Sequence, residues 1–355
     1  MKYGLLWSAE DIVQQMNMHL DKRIYSTGIV NWPRVFDGQC YRARRIDPNQ
    51  FDVVHVQLSG DTTDMIRDVR SRIKGETKLV INPDYSINFW NHYGVMPEVV
   101  VECFRMADFV FGQCQSSAEL LSEILHREIP LIPHPLDTKW LNNHAIPAVK
   151  RSGSDVVINS HRDGQHHTPY FMTREHRDIV THLIGFMGNE SGRRDVVNQY
   201  YDHIHKIMPN ADLIDKMYRN AFCIIDHYTH NVQGRSTMQA AALGVPCLGW
   251  DCVDAQIYCY PELTSQYGDL AHQIQLFRRL REDEDFVATV SAEAMKSSEV
   301  YSFDSCEKLF TDMLSGNKSG KADSVTDVTD EHEVESIMEG GAGDANGKQR
   351  TATAV

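Results

Sequence analysis

Short apolar runs alternate along the chain with stretches whose apolar residues recur at helical spacing, the pattern of parallel strands covered by helices. Tyr3–Trp7, Asp52–Gln57, Lys78–Ile81 and Phe109–Gly112 read as strands, and a further short strand is expected at Pro130–Ile132. Between the last two, Ser116 and Ser117 are placed to cap a helix whose buried face carries Leu120, Leu121 and Ile124. A second set begins at Asp155–Asn159 and continues through His182–Phe186, Phe222–Ile225 and Val245–Leu248. Leu213, Met217, Tyr218 and Ala221 are spaced as a buried helical face leading into the third of these. Helices are expected at Asp269–Arg281 and Asp283–Ser297.

The segment from Asp226 to Trp250, DHYTHNVQGRSTMQAAALGVPCLGW, carries the most specific chemistry. A strand end is followed by Gly234, where the backbone bends tightly, and then by a helix starting at Arg235, Ser236 or Thr237. Ala240, Ala241, Ala242 and Leu243 make a slim helical body, Gly244 is a stop, and Pro246 stands where a helix cannot continue. A helix N-terminus of this kind presents backbone N–H groups and a partial positive charge, which suit a diphosphate.

Length and composition set the frame for this motif. With 355 residues, two domains are expected. The net charge is −14, with residues 1–150 nearly neutral and the acid excess beyond them. Basic groups at Arg42, Arg44 and Arg45 and at Arg67, Arg70, Arg72 and Lys74 read first as solvated faces, because a nucleic-acid binder needs a broad basic surface. The eight cysteines lack paired C-x-x-C spacing and read as buried thiols of a reducing compartment. No signal peptide or membrane-length apolar run is present, so a cytoplasmic protein without a transmembrane segment is expected. Residues 317–355 are poor in large apolar side chains and are expected to be a disordered acidic tail.

The pattern G-x-S-T-x-x-A-x-x-x-G-V-P at Gly234–Pro246 resembles the donor-binding motif of GT-B glycosyltransferases of the group 1, family 4-like superfamily. Two further segments are similar to the same enzymes. Ile132-Pro133-His134-Pro135-Leu136-Asp137 stands where their IPNGVD-like turn leads into the interdomain linker, here Thr138–Ser154, with His134 and Pro135 departing from the usual Asn and Gly. The ending EVYSFDSCEKLFTDML resembles their closing helix.

The resemblance implies an α/β, GT-B architecture of two Rossmann-like domains whose parallel sheets face each other across a cleft. Residues 1–145 would form the acceptor domain, 146–300 the nucleotide-sugar donor domain, and 301–316 a helix crossing back to the first. It implies a donor site of Arg162, His230, Asn231, Gly234, Arg235, Ser236, Thr237 and Gln239, with Arg162 and Arg235 stabilising charge on the leaving nucleotide. Many retaining members carry two glutamates at the positions held here by Asn231 and Gln239. An inverting reaction would instead need an acceptor-side base, for which Asp84 and His92 are the candidates. His55 and Asp61 are lesser options, His55 reading as a core histidine within its strand.

The histidines at 161, 166, 167, 203, 205, 227 and 230 do not form a recognised ligand pattern, so no metal and no cofactor beyond a UDP-sugar donor is expected. The expected activity is that of a hexosyltransferase acting on a hydroxyl acceptor. Acceptors compatible with such a scaffold include a glycan, a lipid-linked sugar, a metabolite or a hydroxymethylated base in viral DNA. The alternatives are a sugar-nucleotide epimerase on the same fold and a non-catalytic binding subunit.

Overall fold

The computed structural model describes residues 1–22, 24–26, 28–59, 62–83, 96–147, 150–151, 153–159, 167–185, 199–206 and 208–316. Residues 1–319 form one compact unit containing two all-parallel sheets. The first has five strands in the order β2-β1-β3-β4-β5. These are β1 (Tyr3–Trp7), β2 (Gln39–Arg42), β3 (Val53–Leu58), β4 (Lys78–Pro83) and β5 (Phe109–Val110). The second has six strands in the order β11-β10-β9-β6-β7-β8. These are β6 (Asp155–Asn159), β7 (Val180–Ile184), β8 (His203–His205), β9 (Cys223–Asp226), β10 (Cys247–Trp250) and β11 (Thr264–Ser265).

The central strands are buried on both faces, which is why they appear in the sequence as continuous apolar runs. The short edge strands β2, β8 and β11 carry no such run and are not visible in the pattern. The expected strand at Pro130–Ile132 is a single bridge, Gly112 to Leu131.

Counted from β6, the second sheet runs 3-2-1-4-5-6, the dinucleotide-binding strand order. Its topological switch point lies between β6 and β9. In such sheets the crevice outside the carboxyl ends of the two switch strands, here Asn159 and Asp226, is where ligands bind.

The helix Phe303–Leu314 joins the two sheets. Its Cys306, Phe310 and Met313 are buried with Tyr3, Leu5, Trp32 and Phe111 of the first sheet's core. Upstream, Leu136 N donates to Tyr301 O at 2.7 Å and Asn142 reaches Glu299 at 3.2 Å. The 132–144 segment and the chain's final turns therefore run side by side. The expected linker Thr138–Ser154 contains the helix Thr138–His144, capped by Asp137 through Trp140 N at 3.0 Å.

Candidate functional site

At the switch point β9 ends in Asp226, the chain loops out through His230 and Asn231, and Gly234 turns it into the helix Arg235–Ala242. Gly234 is the N-cap, with φ at +85°, and a Cβ there would lie 2.2 Å from Val253 Cγ1. No residue but glycine meets both conditions. The loop is fixed to the chain after β10 by Asp254 N to Val232 O and Ala255 N to Gln233 O, both at 3.0 Å.

The cap differs from the hydroxyl cap that Ser236 or Thr237 would supply. The helix starts at Arg235, and Gly234 offers no side chain to its N–H groups. Thr237 is fully buried and donates from Oγ1 to Asp226 Oδ2 at 3.1 Å. At the tip itself Arg235 is exposed and Ser236 half-buried. Asn231 is exposed and His230 half-buried in the preceding loop.

Asp226 is 1% exposed, and burial pushes its carboxyl up to about 6. The Thr237 hydroxyl, which donates to the carboxyl, and the nearby Asn159 amide oppose that rise. Asn159 Oδ1 in turn accepts from the Tyr218 hydroxyl at 2.6 Å. A buried polar group thus links β6, β9 and the helix tip.

Three contacts join this region to the first sheet's side of the molecule. Gln233 Oε1 accepts from His134 N at 3.0 Å, and Gln233 Nε2 donates to His134 O at 3.3 Å. Gln239, 2% exposed, donates from Nε2 to the Tyr25 hydroxyl at 3.1 Å. Asp254 Oδ2 accepts from Gln115 N at 2.6 Å, so the helix Gln115–Leu125 is capped by a carboxylate 139 positions away, not by Ser116 or Ser117. Burial raises the Asp254 carboxyl to about 6, against the lowering pull of that N–H. The helix tip therefore sits at the seam between the two halves, with Arg235 open to solvent.

His134 occupies the same seam. Its Nε2 lies 3.4 Å from the Gln57 amide, and its Nδ1 is buried without a described partner. Burial, then His55 and Arg235, lowers its pKa to about 3, so the ring is neutral.

On the acceptor side, Asp84 and His92 lie outside the described residues, as do Asp61 and Arg162. The strand leading to that segment, β4, carries Asn82 just before its last residue, and Asn82 Oδ1 is 2.7 Å from His55 Nε2. His55 Nδ1 meets the Tyr3 hydroxyl at 2.5 Å, and burial holds the ring at about 4. Both ring nitrogens are satisfied, which makes His55 a neutral core residue.

Elsewhere the arginines of the near-neutral half are largely paired. Arg42 and Arg45 meet Glu10, Arg67 meets Glu102, Arg70 meets Asp108 and Arg72 meets Asp68. All eight cysteines are free thiols, and seven are buried. Among the described residues, no group of three or more His, Cys, Asp or Glu has metal-binding geometry, and no helix is long and apolar enough to cross a membrane.

Gly234, Arg235, Ser236 and Thr237 of the glycine motif lie on one turn, the first of the helix. Tyr25, His134 and Asn159 carry no local signal for this region because each arrives from a distant part of the chain, and Tyr218 reads only as one residue of a buried helical face. Asp226 did leave a signal, an acid closing a buried apolar strand.

Two parallel sheets, a glycine-capped helix at the switch point and a terminal helix packed on the first sheet define the GT-B fold, and comparison with solved structures agrees. No protein-family model and no curated protein matches the sequence. An alpha-glucosyltransferase in complex with UDP and a 13-mer DNA containing an HMU base is similar, with a TM-score of 0.61 at 10% identity over 89% of this chain and 99% of that one. HepE from Anabaena, in complex with UDP and glucose, gives 0.62 at 12% identity over 89% and 100%. The trehalose-6-phosphate synthase OtsA gives 0.61 at 9% identity over 86% and 82%.

Proposed function

We propose that this chain is a nucleotide-sugar-dependent glycosyltransferase that moves a hexose from a UDP-sugar to a hydroxyl acceptor. One observation carries the reading: a glycine-capped helix tip, with an exposed arginine as its first residue, stands at the switch point of a parallel sheet and at the seam with a second sheet. That tip suits a diphosphate, and Arg235 adds a fixed charge for the leaving nucleotide. Fold neighbours bound to UDP, with glucose in one case and HMU-containing DNA in another, support the donor class and keep a hydroxymethylated base among the acceptors.

In this reading residues 146–300 hold the donor, with Arg162, His230, Asn231, Gly234, Arg235, Ser236 and Thr237 around it. Residues 1–145 hold the acceptor, and Asp84 or His92 takes its proton. Gln239 acts through Tyr25 as a strut between the halves. With amides at 231 and 239, the mechanism is assigned to acceptor-side base catalysis without a carboxylate at either position. The free thiols fit a cytoplasmic location.

The same amides favour a second reading, a binding subunit without catalysis. Incubation with UDP-hexoses, alone and with mixed acceptors, separates the two. A transferred hexose with UDP release supports the enzyme, binding without turnover supports the subunit, and failure to bind any UDP-sugar sinks both.

A further inference from the structure

The carboxylate behind the helix tip has a second use. Thr237 Oγ1, held by Asp226 Oδ2, lies 3.5 Å from the place a Gly234 Cβ would take, so Asp226 supports the underside of the turn itself. Its other oxygen, Oδ1, is buried and has no hydrogen-bond partner among the described residues. The nearby Asn159 Nδ2 is equally unpartnered. With one oxygen unsatisfied among the described residues, the desolvated anion is stabilised by the Thr237 hydroxyl, the nearby Asn159 amide and the positive end of the helix.

A diphosphate seated on that tip draws on the same positive end from the opposite side. Two anions then share one partial charge, and the buried one has no water to screen it. It yields by accepting a proton.

We infer that Asp226 is the positioning residue of this helix tip and that it takes up a proton when a nucleoside diphosphate binds there. The inference rests on the donor site proposed above.

The surroundings single out this group. Among the described residues, Thr237 and Asn159 bear directly on Asp226, Tyr218, Cys247 and Cys252 feel its charge, and His227 is next in the chain. Burial raises the Tyr218 phenol and the Cys247 and Cys252 thiols, which stay protonated at neutral pH. His227, stacked on Trp250 at 4.3 Å, is held at about 4 by burial and stays neutral. Among these neighbours only Asp226, at about 6, titrates close to neutrality.

The experiment is calorimetric titration of the full chain with UDP-glucose near pH 6.5, in buffers of differing ionisation enthalpy. The phosphates of UDP-glucose have no proton to gain in this range, so any uptake belongs to the protein. Uptake of about half a proton per ligand is expected, with affinity about tenfold tighter near pH 5 than near pH 8. Asp226→Asn should abolish the uptake and flatten the pH profile while still binding.

Binding with no uptake by the wild-type protein overturns the inference and leaves the donor site standing. So does an uptake that persists in Asp226→Asn. If that variant fails to fold, an infrared difference spectrum of Asp254→Asn decides, because a carboxylic-acid C=O band must still appear on adding ligand with the other raised carboxyl removed. Failure of UDP-glucose and UDP to bind at all removes the donor site, and this inference with it.

Discussion

Gln239 and Tyr25, 214 positions apart, meet in a 3.1 Å hydrogen bond between the helix that starts at the glycine turn and the loop after the first helix. Tyr25 is also stacked on Trp140, ring centroids 4.4 Å apart, so the tyrosine is fixed on two sides. Gln239 stands where a glutamate is common in the enzymes this chain resembles, and here its amide is engaged in holding the halves together. Removing the hydroxyl with Tyr25→Phe should cost about 1 kcal/mol, and Gln239→Ala about 2–3 kcal/mol because it also leaves a cavity beside a buried phenol. Urea denaturation measures both. Equal stabilities for all three proteins would show that the contact holds nothing.

Gly234 and Gly75 offer a matched pair. Their φ angles are +85° and +84°, yet a Cβ at Gly75 meets nothing within 4 Å while one at Gly234 collides with Val253. Gly75→Ala should cost about 1 kcal/mol, the backbone term alone. Gly234→Ala should cost about 3 kcal/mol, with UDP binding lost as the turn moves. Thermal melts of the two variants read the difference, and equal costs would refute the close approach.

Arg235→Ala tests the exposed charge. The side chain lies at the surface, so the melting temperature should hold, while UDP affinity should drop about tenfold. Unchanged affinity would remove Arg235 from the site.

Buried titratable groups oppose one another in acid. His55 and His227, lowered to about 4, and His134, lowered to about 3, bind fewer protons folded than unfolded below about pH 6.5. Their contribution to stability therefore grows as pH rises from about 4 to 6.5. Asp226 and Asp254, raised to about 6, bind more protons folded, and their contribution falls as pH rises from about 4 to 6. The histidines have the larger combined effect, so net stability should rise across this window. Asp226→Asn should steepen that rise and His227→Gln should flatten it. Urea midpoints near pH 4.5, 5.5 and 6.5 test the sign, and a fall in wild-type stability over this range would contradict it.

The layout of the sheets could be read from the chain wherever a strand is buried on both faces. Tyr3–Trp7 and Asp155–Asn159 begin and end where the apolar runs do. Gln39–Arg42 and His203–His205 lie at sheet edges, mix polar with apolar residues and leave no such trace. Gly234 was legible because a tight turn before a helix has its own sequence mark. The cap on Gln115 was not, since Asp254 reaches it through the fold, and local spacing pointed to Ser116 and Ser117 instead. Tyr25 and His134 belong to the seam for the same reason: tertiary packing, with no local pattern, brings them there.

Hydrogen exchange of the full chain with and without saturating UDP tests most directly whether a diphosphate sits on the helix tip. Slowed exchange centred on the segment from about 230 to 238, needing about tenfold more UDP in Arg235→Ala, is the expected result. UDP that binds yet leaves this segment unchanged, or protects a different face of the molecule, would contradict the site.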